Sequence, residues 1–304
     1  MSRSITIIIN IASGHNEKDE LLENILGRLT AAGIPASAVR IGKGEDVEGK
    51  AEPAVLKAKA DNGIVVAAGG DGTINSVAGL CYKHGVTLGV LPLGTYNYFA
   101  RDLAIPLETE GAVDVLIAQN EKSVAIGLIE GRVFLVNASI GLYTDIIETR
   151  ERYKAKLGRY RFVALVATVV TLFRARKHLT CKVKSAKEEI SQKALAVFIG
   201  NNALQLENIG LTPAENSDPD ALAIIIVKRM TLFQKCRMLF WAMFRNLRVE
   251  ERVDHYTATD FTIETSKKYV TAVLDGEIMN FTSPLVFQAK PGGLKVIAPV
   301  KTAP

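Results

Sequence analysis

Residues 67–80 read AAGGDGTINSVAGL, and this stretch predicts the fold of the first half of the chain. An apolar run at residues 64–68 precedes the glycines and is short and β-branched enough for a buried parallel strand. After the glycines, apolar residues recur at helical spacing, at Ile74, Val77 and Ala78. The stretch is therefore a predicted strand, glycine turn and helix.

Three glycines, Gly69, Gly70 and Gly72, occupy the predicted turn. Without Cβ atoms the backbone can bend sharply and approach a ligand, and the N–H groups that begin the next helix favour an anion such as phosphate. The pattern is neither a Walker A loop nor the G-x-G-x-x-G dinucleotide motif. The carboxylate of Asp71 would repel a phosphate unless a cation lay between them. These residues favour a magnesium-bound nucleotide.

Composition is that of an ordinary globular protein. The 304 residues favour about two domains, and 48% apolar with 23% charged residues excludes a disordered chain. The net charge of +5 favours an anionic partner, which is a nucleotide, a nucleic acid or a membrane surface. Cys81, Cys181 and Cys236 are too scattered for a disulfide framework or a C-x-x-C metal site. Because a strand rather than a secretory signal is predicted at the start, we expect a cytoplasmic protein.

Strands and helices alternate through residues 1–124. Strands are predicted at residues 4–11, 36–41, 64–68 and 87–91, and helices at residues 17–32 and 53–60 and after the glycine turn. This alternation indicates a doubly wound parallel sheet, whose ligands bind at the carboxyl ends of the strands. Three loops follow strands, at residues 10–14, 69–73 and 94–97, so we expect them to meet at one edge of an α/β nucleotide-binding domain.

Short strands dominate from residue 125 onward. They are predicted at residues 125–129, 133–140, 179–183, 194–200, 222–228, 260–264 and 269–274. This pattern predicts a second, β-rich and sandwich-like domain over residues 125–284. A last pair of strands, 285–289 and 294–298, is predicted to turn at Pro291-Gly292-Gly293, within a C-terminal segment, 285–304, that is free to return to the first domain.

Two basic and apolar insertions interrupt the β-rich region, at residues 148–178 and 232–247. Neither holds the run of about 18 to 20 apolar residues that spans a bilayer. Aliphatic and aromatic residues flanked by Lys and Arg suit a helix that lies on an anionic membrane. The alternative is an amphipathic helix that packs on its own domain, and the sequence favours neither reading.

Taken together, the loop motifs resemble those of the bacterial diacylglycerol kinase-like lipid kinases, relatives of the sphingosine kinases and, more distantly, of the NAD kinases and phosphofructokinases. The resemblance is strongest in GGDGTINSVAGL from Gly69, PLGTYNYFARDLAIP from Pro92 and LDGE from Leu274. NIASG from Asn10 and NASIGLY from Asn137 add weaker support. It implies an NAD kinase/phosphofructokinase-like parallel-sheet domain, a β-sandwich-like lipid domain, and an active site in the cleft between them.

The resemblance assigns ATP and Mg²⁺ to the three loops of the first domain. Phosphoryl transfer depends mainly on positioning and on neutralising charge, and Asp71 would face the metal, directly or through water. The residues implied in nucleotide binding are Asn10, Ser13, Gly69, Gly70, Asp71, Gly72, Thr73, Gly94, Thr95 and Asn97. Turn formation and helix capping are the alternative roles of the polar ones, and for Asn10 taken alone they are favoured.

Asp275, in the LDGE motif, is implied as the general base that takes the proton from the lipid hydroxyl. Its place at a strand end beside Gly276 leaves room for a substrate. Glu277 is implied as a second catalytic residue that orients the site or assists with magnesium. The structural alternative is that Asp-Gly forms a common hairpin turn.

The chain departs from the family pattern at several positions. Ser76 stands where the family commonly has Glu, and Tyr98 where it often has Asp, which removes two acids near the predicted metal. Some members hold a structural metal at an Asp-rich turn, and Asp218 and Asp220 lie in the matching region as candidate ligands. Pro219 disturbs the usual Asp-Gly spacing there.

The sequence thus predicts an ATP-dependent kinase that phosphorylates a hydroxyl of a membrane lipid, such as diacylglycerol, phosphatidylglycerol or a sphingoid base. Two alternatives stay open: a kinase of a soluble substrate, as in the NAD kinases, and a non-catalytic nucleotide- or lipid-binding protein. We expect peripheral association with an anionic membrane and no nucleic acid partner, because the chain has no recognisable nucleic-acid-binding module. A homo-oligomer stays open, and no motif encodes the identity of the lipid.

Overall fold

The computed structural model describes residues 2–11, 15–141, 144, 179–185, 189–201, 220–229, 231, 234 and 253–300. The chain divides into two compact units. The first unit comprises Met1–Ile126, Arg132–Leu135 and Lys290–Pro304, and the second comprises Gly127–Gly131 and Val136–Ala289.

The first unit is built on a parallel sheet with helices between its strands. Its strands are β1 (Ile5–Asn10), β2 (Ala36–Ile41), β3 (Ile64–Gly69) and β4 (Thr87–Pro92), and its helices are α1 (His15–Ala31), α2 (Val47–Ala60), α3 (Asp71–His84), α4 (Tyr98–Asp102) and α5 (Thr109–Ala118). The strand order is β2-β1-β3-β4, all parallel. Every residue of β3 and β4 is buried, as expected for central parallel strands. The predicted doubly wound α/β sheet is confirmed.

Local signals explain most of the helix bounds. Helix α2 begins at Val47 because the Asp46 side chain caps it, accepting the backbone N–H of Glu48 at 3.1 Å. The predicted start at Pro53 was therefore too late, and Pro53 lies inside the helix. Helix α5 was not predicted, although its buried residues Ala112, Val113 and Leu116 recur at helical spacing.

The second unit is antiparallel and contains most of the remaining strands. These follow β5 (Glu121–Ile129) and β6 (Arg132–Phe134) and are β7 (Asn137–Gly141), β8 (Leu179–Ser185), β9 (Glu189–Gly200), β10 (Leu222–Lys228), β11 (Val253–Ala258), β12 (Asp260–Thr265), β13 (Tyr269–Leu274), β14 (Glu277–Thr282) and β15 (Leu285–Ile297). The order is β14-β13-β7-β9-β8-β12-β15, and β10 pairs with both β9 and β11. The prediction of a β-rich second region is confirmed, but the single strand predicted at residues 133–140 is two strands, β6 and β7.

The predicted C-terminal strand pair was wrong, because β15 is one strand. Its first part pairs antiparallel with β12, with Leu285 opposite Ile263. Its last part pairs in parallel with β4, with Val296 opposite Leu88. Since each part has its own partner strand, the glycines between them redirect the chain instead of reversing it.

The two predicted basic insertions, residues 148–178 and 232–247, lie outside the described residues apart from Gln234. Among the residues that the structure describes, no helix is both long enough and apolar enough to cross a membrane.

Candidate active site

The glycine turn joins β3 to α3 in the first unit. Gly70 precedes the helix with extended backbone (φ −84°, ψ 179°), and as a glycine it has no side chain to cap the first turn. Gly69 packs against Thr73 so closely that a Cβ at Gly69 would lie 2.8 Å from the Thr73 Cβ. The first turn of a helix leaves backbone N–H groups without intrahelical acceptors, which suits an anion. Gly72 lies in this same turn of α3.

The loop after β4 packs against the glycine turn, backbone to backbone. The Leu93 N–H donates to the Gly69 carbonyl at 2.9 Å. A Cβ at Gly94 would lie 2.6 Å from the Gly70 Cα. Two of the three loops predicted to meet at one edge of the sheet therefore lie in contact, and only glycine at position 94 permits this approach.

Asn97 closes the second loop from within. Its backbone conformation is left-handed (φ 52°, ψ 45°), and the residue is 4% exposed. The side-chain Oδ1 accepts the Gly94 N–H, and Nδ2 donates to the Gly94 carbonyl, each at 3.0 Å. Asn97 thus shapes the loop by binding Gly94, while its neighbour Thr95 is exposed.

Asp71 connects the two loops through its carboxylate. Oδ2 accepts the Asn97 N–H at 3.0 Å, and Oδ1 accepts the Tyr98 N–H at 2.8 Å. Because Tyr98 is the first residue of α4, the carboxylate also sits at the N-terminus of that helix. Each oxygen retains lone-pair capacity for a further ligand.

Asn10 and Lys18 bring the first loop to the same edge. The Asn10 Nδ2 donates to the Thr73 hydroxyl at 3.2 Å. The ammonium of Lys18, on α1, donates to the Asn10 carbonyl at 2.8 Å. The sequence reasoning missed Lys18, whose only signal is a basic residue shortly after the first loop. Ser13, predicted beside Asn10, lies outside the described residues.

Two tyrosines flank Asn97 and lie against each other. The Tyr96 and Tyr98 rings are stacked, with centroids 5.5 Å apart and planes 3° from parallel. Their residues are 56% and 41% exposed. An aromatic surface therefore stands next to the glycine turn at the position where the sequence resemblance led us to expect an acid.

Asp275 occupies the tight hairpin turn between β13 and β14. Leu274 pairs with Glu277, and the two residues between them have positive φ, 48° at Asp275 and 93° at Gly276. The hairpin reading of Asp-Gly is therefore correct for the backbone. A turn position still leaves the Asp275 side chain able to act as a base, and its carboxylate is directed to the start of β7.

The Asp275 carboxylate is oriented by the start of β7. Oδ1 accepts the N–H groups of Val136 at 2.9 Å and of Asn137 at 2.8 Å. The Asp275 N–H in turn donates to the Asn137 carbonyl at 2.9 Å. Two amide donors on one oxygen stabilise the carboxylate anion and fix its plane. Glu277, the other predicted catalytic residue, is exposed at the first position of β14.

Of the other two predicted metal ligands, Asp218 and Asp220, the structure describes only Asp220. Asp220 is an exposed turn residue before β10, and Asp218 lies outside the described residues. Within the described ranges, no group of three or more His, Cys, Asp or Glu side chains could hold a metal ion. Burial raises the pKa of Cys81 to about 12 and that of Cys181 to about 11, so neither thiol is a nucleophile at neutral pH.

Comparison with known proteins gives one family. The model of the diacylglycerol kinase catalytic domain matches residues 4–129. A diacylglycerol kinase of Staphylococcus haemolyticus is 30% identical over 237 residues, which cover 76% of this chain and 69% of that protein. A diacylglycerol kinase of Staphylococcus aureus is also 30% identical, over 76% of this chain and 73% of that protein.

Solved structures agree on the fold. A proposed diacylglycerol kinase from Bacillus anthracis superposes with a TM-score of 0.74 at 20% identity, covering 99% of both chains. Another diacylglycerol kinase structure from the same organism gives a TM-score of 0.68 at 18% identity, covering 99% of this chain and 98% of that chain. The whole fold, including the β-rich second unit, is thus shared with these proteins.

Proposed function

Because the chain belongs to the diacylglycerol kinase family, we propose that it is an ATP-dependent kinase that transfers the γ-phosphate to a hydroxyl of a membrane lipid such as diacylglycerol. The observation that carries this proposal is the paired loop structure of the first unit, in which the glycine turn at Gly70 packs on Gly94. It supports a site for a phosphate chain, since backbone N–H groups lie at the start of α3.

The donor set fits ATP with Mg²⁺. A magnesium ion bound to a nucleotide takes much of its coordination from phosphate oxygens and water, with one or two carboxylates from the protein. Asp71 supplies one carboxylate at the phosphate turn, and we propose that it faces the metal directly or through water. Lys18 adds a positive charge beside Asn10, which favours the phosphates. Magnesium would neutralise charge on the transferred group.

Asp275 is the proposed general base. Its carboxylate takes the proton of the lipid hydroxyl as the hydroxyl oxygen bonds to the γ-phosphorus and the bond to the ADP oxygen breaks. The hydrogen bonds from Val136 and Asn137 hold the carboxylate in one orientation, as a positioned base requires. Glu277 is proposed to support this site.

We further propose that the protein acts in the cytoplasm on the surface of an anionic membrane. The net charge of +5 supports attraction to such a surface, and a lipid acceptor requires it. Binding to vesicles should then weaken as salt rises, because screening shortens the range of the attraction.

The experiment is a transfer assay with γ-labelled ATP, Mg²⁺ and mixed vesicles that contain diacylglycerol, phosphatidylglycerol or a sphingoid base. We expect label in one extracted lipid. NAD serves as a soluble acceptor in a parallel reaction, and label in NAD alone would support a soluble-substrate kinase. Nucleotide binding without label in any acceptor would support a binding protein and contradict the proposal.

A further inference from the structure

The Asp71 carboxylate joins the glycine turn to the loop after β4 by two hydrogen bonds, here named the Asp71 lock. Its oxygens each accept one N–H, from the consecutive residues Asn97 and Tyr98. We propose that Asp71, besides facing the metal, is a positioning residue, and that holding the 94–98 segment against the glycine turn is its main contribution to nucleotide binding. This inference rests on the proposed function only in that ATP is the ligand used to test it.

The geometry requires a carboxylate. Two N–H donors from successive residues point at one side chain, and a carboxylate offers each of them an oxygen with negative charge. An amide of the same shape offers one oxygen, and its NH₂ group would face the second N–H donor. Asp71 also lies at the N-terminus of α4, where negative charge is favourable.

The Asp71 hydrogen bonds act on a segment with an uncommon backbone conformation. Asn97 is left-handed, a conformation that asparagine tolerates better than most residues other than glycine. Both polar groups of its side chain form hydrogen bonds with Gly94, and its backbone N–H donates to the Asp71 carboxylate. Releasing the Asp71 bonds would let this loop relax and would separate Gly94 from Gly70.

The tyrosine pair reports on the lock. Tyr98 is bonded to Asp71 through its backbone N–H, and its ring stacks on Tyr96. A loop that relaxes changes the relative orientation of these rings, to which near-ultraviolet circular dichroism is sensitive. This readout requires neither ATP nor magnesium, so it separates positioning from a metal role.

The test compares wild type with Asp71→Asn and Asp71→Glu by calorimetric titration of ATP at rising Mg²⁺ and by circular dichroism. We expect both variants to bind ATP about ten- to hundredfold more weakly at every Mg²⁺ concentration, with altered tyrosine bands. Asp71→Glu retains the charge for a cation but displaces both oxygens. Asp46→Asn, a matched change at the cap of α2, should match wild type in both measurements.

Three results would overturn the inference. The first is wild-type dichroism in both variants. The second is ATP affinity restored by high Mg²⁺ and the third is ATP affinity retained in Asp71→Glu, since each of these two points to the metal as the main role. If Asp71→Asn does not fold, Asp71→Glu alone decides between these outcomes. If wild type binds no ATP, the proposed function fails, whereas the dichroism still decides whether the lock exists.

Discussion

Asp71 and Asp275 are two carboxylates that each accept the N–H groups of two consecutive residues, and they use them differently. Asp71 takes one N–H on each oxygen, from Asn97 and Tyr98. Asp275 takes both on Oδ1, from Val136 and Asn137. Two hydrogen bonds therefore hold the loop after β4 in the case of Asp71, whereas two hydrogen bonds orient the carboxylate itself in the case of Asp275.

The difference determines what a mutation can reveal. An asparagine at position 275 can still accept both N–H groups on its single side-chain oxygen, so the turn should survive while the basic group is lost. An asparagine at position 71 cannot satisfy both donors. A change from Asp to Asn is thus a chemical probe at one site and a structural one at the other.

The largest expected effect is that of Asp275→Asn on turnover. We predict that kcat with diacylglycerol vesicles falls about a hundred- to ten-thousandfold, because the proposed base is removed. ATP affinity and thermal unfolding should stay close to wild type, since the Oδ1 bonds are retained. Asp260→Asn, at the exposed first residue of β12, is the control that should keep full activity. Equal turnover in wild type and Asp275→Asn would refute the assignment of the base.

Gly94→Ala should disrupt the contact between the glycine turn and the loop after β4. The added methyl would lie 2.6 Å from the Gly70 Cα and 2.8 Å from the Asn97 Oδ1. We predict a loss of roughly 1–3 kcal/mol in unfolding free energy from overpacking, with about ten- to hundredfold weaker ATP binding. Gly79→Ala on α3 is the matched control, since nothing lies within 4 Å of its Cβ. Unchanged ATP affinity in Gly94→Ala would show that the two loops need not touch.

Glu121→Gln tests the opposite end of the parallel sheet. Glu121 binds Arg3 at 2.7 Å, the Thr87 hydroxyl at 2.7 Å and Lys295 at 3.3 Å. We predict a loss of about 1–2 kcal/mol in unfolding free energy and no change in ATP affinity, measured by denaturant titration and calorimetry.

The effect of Glu121 should depend on pH. The Thr87 hydrogen bond, with those of Arg3 and Lys295, lowers the pKa of Glu121 below its usual 4.5. A lowered pKa in the folded protein stabilises above the unfolded pKa, and this stabilisation is lost as pH falls through the folded value. The stability difference between wild type and Glu121→Gln should therefore be largest near neutral pH and shrink below pH 4.5. A constant difference would mean that the charge is unimportant.

The smallest effect is expected from Asp46→Ala, which removes the cap of α2. The lost bond to the Glu48 N–H should cost about 1 kcal/mol of unfolding free energy. Transfer activity and ATP affinity should be unaffected, in contrast to any change at Asp71. A drop in ATP affinity in Asp46→Ala would mean that a loss of helix stability is enough to explain the weaker ATP binding of the Asp71 variants.

Local signals made most of the fold predictable. The strand, glycine turn and helix around Gly70 depend on neighbouring residues, and strands β2, β10 and β13 have the predicted bounds. Strand β14 was missed because its residues are largely exposed and show weak alternation. The course of β15 was not predictable, since it depends on which distant strands pair with each part.

The site was predictable at the level of loops and not of contacts. Parallel topology alone brings the loops after β3 and β4 to one edge. The bonds from Asn97 and Tyr98 to Asp71 join residues 26 and 27 positions apart, and no sequence pattern specifies them. Lys18 escaped notice for the same reason, because its contact with Asn10 depends on how α1 packs.

The most direct test of the central claim is to measure ADP and phosphorylated lipid together, during one reaction of the wild-type protein with Mg²⁺, ATP and diacylglycerol vesicles. The proposal predicts that both products accumulate in equal amounts and that neither forms when the acceptor lipid is omitted. ADP that forms without phosphorylated lipid, or no product with diacylglycerol, phosphatidylglycerol and sphingoid bases alike, would contradict it.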